Sequence, residues 1–335
     1  MKPISNILSS KFKICSFIAT IFVVYRHSFV EQAFGLDNVA VSPYLNYSTH
    51  FMSSITEVAV PIFFFISGFF FIRGRYHDVR GYKNMVVKKN RTLFIPFLIW
   101  NLIGLIVLIM SNKYVYESGL FRFLEVFFLS YNYGPLWYVR DLMLLMLLSP
   151  LYIWLFKDRI KWCVILFFPL IYYFWTPVDN SLLSIEGILF FVLGGCFSNS
   201  DNFLEYKARK GVSMPLILLW LIMSSFFNLW SNENLHRFNI LLGVVSFWYL
   251  IDLIPYRLKK IMKNLSQYSF FIYVTHFYFV KSIKIFIAHF FFQNEIVAWC
   301  TFLLLPLLAS ILLVIVAGEF KRKYNKQYSF LTGNR

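Results

Sequence analysis

Charge is scarce in this sequence, and acid is scarcer than base. Only 14% of its 335 residues are Asp, Glu, Lys or Arg, against roughly a quarter in a soluble domain. No polar stretch approaches the ~50 residues that a soluble domain needs. Cysteine is also sparse. Cys15, Cys163, Cys196 and Cys300 lie in or beside apolar segments with no recurring spacing. That argues against a disulfide framework and against a thiolate metal site, so no metal is expected. The halves show no internal repeat of the kind many transporters carry. The first apolar segment lacks a small-residue cleavage site, so it is expected to stay as a span.

Apolar residues fill the space that charge leaves. They make up 59% of the chain, with 41 phenylalanines. Long runs such as Val60–Ile72, Phe94–Met110 and Phe302–Ala317 recur. Repeated apolar stretches near ~20 residues mean membrane spans. The expectation is an all-α, polytopic transmembrane helix bundle of about ten spans, forming one integral membrane domain over 1–335. The spans fall near 14–30, 51–72, 92–112, 135–156, 161–178, 182–198, 213–230, 238–254, 266–289 and 297–318. The stretch 119–131 is too short to cross and reads as an interfacial or re-entrant helix.

The formal charge is +16, from 32 Lys and Arg against 16 Asp and Glu. In a soluble protein that excess suggests nucleic acid; here it anchors topology, and no nucleic acid partner is expected. With the N-terminus inside, 25 basic residues fall in cytoplasmic segments and five in outer ones. Arg26 and Arg140 lie within spans. This alternation predicts both termini in the cytoplasm.

A charge within a span costs ~2.5–3.5 kcal/mol on insertion scales, so each one is a candidate for function. Arg26, His27, Glu57, Arg140, Asp141 and Glu186 fall in the outer parts of spans one, two, four and six; His276 falls nearer the middle of span nine. Plainer readings stand beside this. Arg26 can snorkel to headgroups. Arg140 and Asp141 can link helices, and a histidine can serve packing. Glu57 and Glu186 can sit in the interface. The segment 73–91 carries seven basic residues and one acid. At its end Lys88 and Arg91, spaced i, i+3, share a face at the expected start of span three. Two cations at a helix N-terminus suit a phosphorylated cytoplasmic ligand such as a nucleotide or coenzyme A.

Six segments resemble, in order, the acyltransferase-3 family of membrane O-acyltransferases. They are IATIFVVYRHS ending near His27, VPIFFFISGFFF (60–71), KKNRTLFIPFLIW (88–100), GPLWYVRDLMLLMLLSP (134–150), GILFFVLGGCFS (187–198) and YSFFIYVTH (268–276). The resemblance implies a transferase of the inner, cytoplasmic membrane. It would move an acyl group, in the first instance acetyl, from cytoplasmic acyl-CoA to a hydroxyl of an extracytoplasmic carbohydrate or lipid-linked glycan. His27 matches the family's catalytic histidine and would serve as general base or covalent carrier. Glu57 or Asp141 would orient it, and Arg140 or Arg26 would stabilise the oxyanion. Lys88 and Arg91 would hold the donor's phosphates, with Lys13 and His276 also on the donor side. The family's usual arginine eleven residues before the histidine is Ser16 here, which leaves Lys13 as the nearby cation. A polytopic transporter or exporter of a glycan or small anion is the alternative that composition alone leaves open.

Overall fold

The computed structural model describes residues 4–36, 41–74, 79–111, 134–148, 169–175, 183–206, 210–226 and 232–333. Every regular element among the described residues is a helix. In order they include α1 (Asn6–Arg26), α2 (Glu31–Phe34), α3 (Pro43–Thr56), α4 (Ala59–Arg73), α5 (Val79–Lys89), α6 (Ile95–Met110) and α7 (Trp137–Leu147). Then come α8 (Ile185–Cys196), α9 (Asp201–Glu205), α10 (Lys210–Ser225) and α11 (Glu233–Leu253). The last four are α12 (Tyr256–Leu265), α13 (Ser269–Phe290), α14 (Glu295–Lys323) and α15 (Asn325–Thr332).

Five of these stretches are long and apolar enough to cross a membrane: Asn6–Phe34, Pro43–Arg73, Arg80–Met110, Tyr256–Phe290 and Glu295–Lys323. They cover the expected spans one, two, three, nine and ten. Shorter apolar helices occupy Ile185–Cys196, within expected span six, and Lys210–Ser225, overlapping expected span seven. The expected interfacial helix at 119–131 lies outside the described residues, as does most of the expected span at 161–178. Through the middle of α14, residues 302–317, the exposed residues are apolar. Leu304, Leu308, Ile311 and Ile315 are all more than half exposed, while Phe302, Leu305, Ala309 and Leu313 are buried. An apolar stripe of that size facing outward fits lipid and not water.

Proline sets two breaks that matter for the site. Pro61 has no N–H to give the carbonyl of Glu57. The helix interrupts there, between α3 and α4, with Glu57 and Val58 at the junction. Pro96 likewise cannot bond the carbonyl of Thr92. The ladder widens upstream of it into a π-turn over Asn90–Phe94, in which Ile95 N–H reaches back to the carbonyl of Asn90. Single π-turns inside α-helices occur often at functional positions.

The chain forms two compact units: residues 1–63 with 200–319, and residues 64–199 with 320–335. In the first, one core joins Phe17 and Val24 of α1, Ile272 and Val280 of α13, and Leu305, Ala309 and Leu313 of α14. A second gathers Val30, Phe34 and Leu36 with Leu45, Ala288, Ala298 and Phe302. In the second unit α4 and α8 meet backbone to backbone. A Cβ on Gly68 would run into the carbonyl of Phe191, and one on Gly194 into the carbonyl of Phe65. Membrane helices gain stability from such close approach, because lipid offers no hydrophobic drive to associate. Two apolar motifs that look alike in sequence are therefore two halves of one contact.

Candidate active site

His27 caps the C-terminal end of α1, where the helix stops and the chain turns toward α2. Lys284 of α13 donates to the carbonyl of Phe29 at 2.5 Å and ties that turn down. His27 is only partly buried. Its ring lies 5.2 Å, centroid to centroid, from the ring of His276 on α13, and edge-on to Phe277 at 5.3 Å. Two histidines that the sequence places 249 residues apart are thus neighbours in one unit.

The bonding of His276 fixes its chemistry. Its Nδ1 sits 2.7 Å from the carbonyl of Tyr273 and 3.2 Å from that of Ile272. A carbonyl can only accept, so Nδ1 carries the hydrogen and Nε2 is the bare, basic nitrogen. The residue is fully buried, and Nε2 has no hydrogen-bond partner among the described residues. A buried acceptor left unpaired costs ~1–3 kcal/mol, which marks it as a group kept for a purpose.

Beside His27, Arg26 is held by Glu57 and Ser53. Its guanidinium donates to Glu57 Oε1 at 2.9 Å and to the hydroxyl of Ser53. The other Glu57 oxygen lies 2.9 Å from Nε2 of His236 on α11. Glu57 therefore holds Arg26 and does not hydrogen-bond His27, the role first expected of it. The helix break at Pro61 explains why: it sets Glu57 at the junction of α3 and α4, facing the end of α1. His236 was not among the sequence candidates. It sits in the polar stretch SNENLHRFN, which reads as a loop but begins α11 at Glu233.

Arg140 and Asp141 lie in the second unit. Arg140 folds back on its neighbour, its Nε and terminal nitrogen meeting Asp141 Oδ1 at 3.0 and 2.8 Å. The other Asp141 oxygen accepts the N–H of Ser184 at 2.8 Å, just before α8. Asp141 is fully buried. This pair links α7 to the start of α8, the plainer of its two readings. Ser184 caps α8 through its hydroxyl, with Glu186 in the first turn.

Lys88 and Arg91, the cations expected to meet a donor's phosphates, are both exposed. They do not lie at a helix N-terminus. The helix runs on from Arg80, and the two cations straddle the junction of α5 with the π-turn. The backbone N–H groups there are used within the helix, so anion binding falls to the side chains alone. Lys13 is exposed, whereas Lys11 is buried and paired with Asp252 at 2.7 Å, over the ring of Trp248. The structurally engaged cation of the first span is therefore Lys11. Behind the π-turn, between it, α5 and α7, lies a cavity of about 470 Å³. Its walls are almost wholly apolar, with Lys89, Asn90 and Arg140 the polar groups in its lining.

The described helices thus bring a partly buried histidine, a fully buried one and a guanidinium held by a carboxylate together within one unit. The chain belongs to the acyltransferase-3 family, whose acyltransferase domain matches residues 16–315. It is an acyltransferase, embedded in a membrane by multiple apolar helices. No curated protein and no solved structure matches it.

Proposed function

We propose that the protein is an O-acyltransferase that takes an acyl group, acetyl in the first instance, from cytoplasmic acyl-CoA. The acceptor is a hydroxyl of a carbohydrate or lipid-linked glycan outside the cytoplasmic membrane. The observation that carries this reading is the contact between His27 and His276. In this reading the bare nitrogen of His276 accepts the N–H of His27, whose ring lies 5.2 Å away. That bond, tightened when substrates are in place, leaves the other nitrogen of His27 basic. His27 then takes the proton of the acceptor hydroxyl as its oxygen attacks the thioester carbonyl. The C–O bond forms, the C–S bond breaks, and the proton passes to the departing thiolate. Arg26, held by Ser53 and by a Glu57 carboxylate that His236 also meets, supplies a fixed positive charge beside His27 for the oxyanion. Arg140 is already spoken for by Asp141. An exporter offers no reason for a histidine pair of this kind, and the family assignment favours transfer.

Ten spans with both termini inside belong to the same proposal. The uneven distribution of basic residues supports them. Reporter fusions after Lys89 and Lys263 should read cytoplasmic, and one within 31–49 extracytoplasmic. A cytoplasmic signal from 31–49 would sink that topology.

Lys88 and Arg91 are proposed to meet the phosphates of the coenzyme. Changing both to alanine should weaken binding of labelled acyl-CoA to the purified protein. The loss should be larger at low salt than at high salt, where screening has already weakened phosphate contacts. Equal affinity at every ionic strength would leave the two cations as topology anchors only.

A further inference from the structure

Helix α12 (Tyr256–Leu265) has no part in the chemistry described so far, and none of its residues is buried. It begins where it does because of Pro255. A proline holds the residue before it extended, so Ile254 ends α11 and a new helix starts after the break. Its sequence, YRLKKIMKNL, has two faces. Leu258, Ile261, Met262 and Leu265 recur at i, i+3, i+4 and i+7 and share one of them. Arg257, Lys260 and Lys263 recur every three residues and share another. The chain has no acid between Asp252 and Glu295, and Asp252 is already paired with Lys11.

Packing decides where those faces go. Met262 and Leu265 lie partly buried against the core that holds Phe17, Ile272 and Leu313. Lys259 donates to the carbonyl of Asp252 at 2.9 Å, the residue whose side chain pairs with Lys11. One flank of α12 is thus tied to the half of α1 away from the candidate site, since Lys11 stands ~24 Å along the helix from His27. The rest faces outward. Leu258 and Ile261 are 46% and 52% exposed, and Tyr256 79%. Arg257, Lys260 and Lys263 are exposed as well and enter none of the ion pairs among the described residues. The stretch Tyr256–Phe290 runs for 35 residues. That is ~52 Å of helix against a hydrocarbon core of ~30 Å, so its first ten residues extend past the core. An apolar strip beside a row of cations at that level suits a helix lying in the headgroup layer, its apolar side on the acyl chains and its cations among the phosphates.

We infer that α12 is an interfacial helix whose exposed face binds anionic phospholipid headgroups, in the leaflet at the Lys11 end of α1. The occupant is the leaflet and not a soluble phosphate, because Leu258 and Ile261 need acyl chains to cover them. The charge fits a net negative surface: three exposed cations stand together with no acid on the helix to offset them. Through Lys259, Met262 and Leu265 the lipid surface then holds the inner end of α1. This surface stands apart from the acyl donor and acceptor, and either could be misassigned without affecting it.

The test uses the purified full-length protein in neutral detergent. The probes are phosphatidylglycerol and phosphatidylcholine with matched acyl chains, and retained lipid is counted by native mass spectrometry. Wild type should take phosphatidylglycerol in preference by about tenfold or more, and salt should erode that preference. The combined variant Arg257→Gln, Lys260→Gln, Lys263→Gln should bind the two lipids nearly alike. Its melting temperature in lipid-free detergent should match wild type, because the three side chains hold no ion pair in the fold. If the combined variant does not fold, Lys260→Gln alone should cut the preference by roughly two- to fivefold. Wild type showing no preference overturns the proposal, and so does a preference that the substitutions leave intact. Loss of the preference on adding millimolar glycerol phosphate would mean a site for a soluble phosphate, and would overturn the leaflet as occupant.

Discussion

His27→Ala should reduce acyl transfer by at least the ~10²–10⁴ that a positioned general base contributes, and further if the imidazole carries the acyl group. The same protein should insert, fold and bind acyl-CoA as wild type does. The residues proposed to hold the donor's phosphates, Lys88 and Arg91, belong to the other compact unit, whereas His27 caps α1 and its ring makes no hydrogen bond among the described residues. His276→Leu should also cost activity, because it removes the bare Nε2 proposed to accept from His27. The double variant should be little worse than His27→Ala alone, since groups that act as one unit lose their effect together. Initial rates with labelled acyl-CoA, set beside equilibrium binding, check all three. Activity losses that simply add would mean the two rings do not work together.

Gly194→Leu should be the most damaging substitution for the fold. The added side chain would have to pass through the carbonyl of Phe65 on α4, which is backbone and cannot rotate away. Overpacking a core costs ~1–3 kcal/mol even when side chains can adjust; here a whole helix must move. The expected outcome is loss of the folded protein from detergent extracts, read by size-exclusion profile and melting temperature. Gly68→Leu should behave alike, meeting the carbonyl of Phe191 from the opposite side. Gly211 is the control. A Cβ there meets nothing within 4 Å, so Gly211→Ala should be neutral or slightly stabilising, as a helical glycine-to-alanine change usually is. If Gly194→Leu folds normally, α4 and α8 do not approach as described.

What the sequence made legible was whatever depends on local pattern. Apolar runs marked the helices, and the rarity of charge within them marked His27, His276 and the Arg140–Asp141 pair. Helix starts were less visible. The helix through Lys88 and Arg91 begins near Arg80 because residues 79–89 form helix despite their polarity, so the two cations lack the helix N-terminus expected for them. Pairings were not legible at all. Nothing local says that His276 faces His27, that Glu57 binds Arg26 and His236, or that Lys11 and not Lys13 is engaged. Those depend on which faces of distant helices meet. Proline was the exception: Pro61 and Pro96 each remove one backbone donor at a known position, and the break and the π-turn follow from that loss.

The central claim is that His27 moves the proton of the acceptor. The most direct measurement is turnover by His27→Gln, purified and shown to bind acyl-CoA normally. Glutamine keeps much of the size and hydrogen bonding of the imidazole but cannot usefully take a proton. Binding intact with transfer lost, as in His27→Ala, is the expected result. Near-normal transfer by His27→Gln would mean that His27 is a packing residue and that the chemistry lies elsewhere.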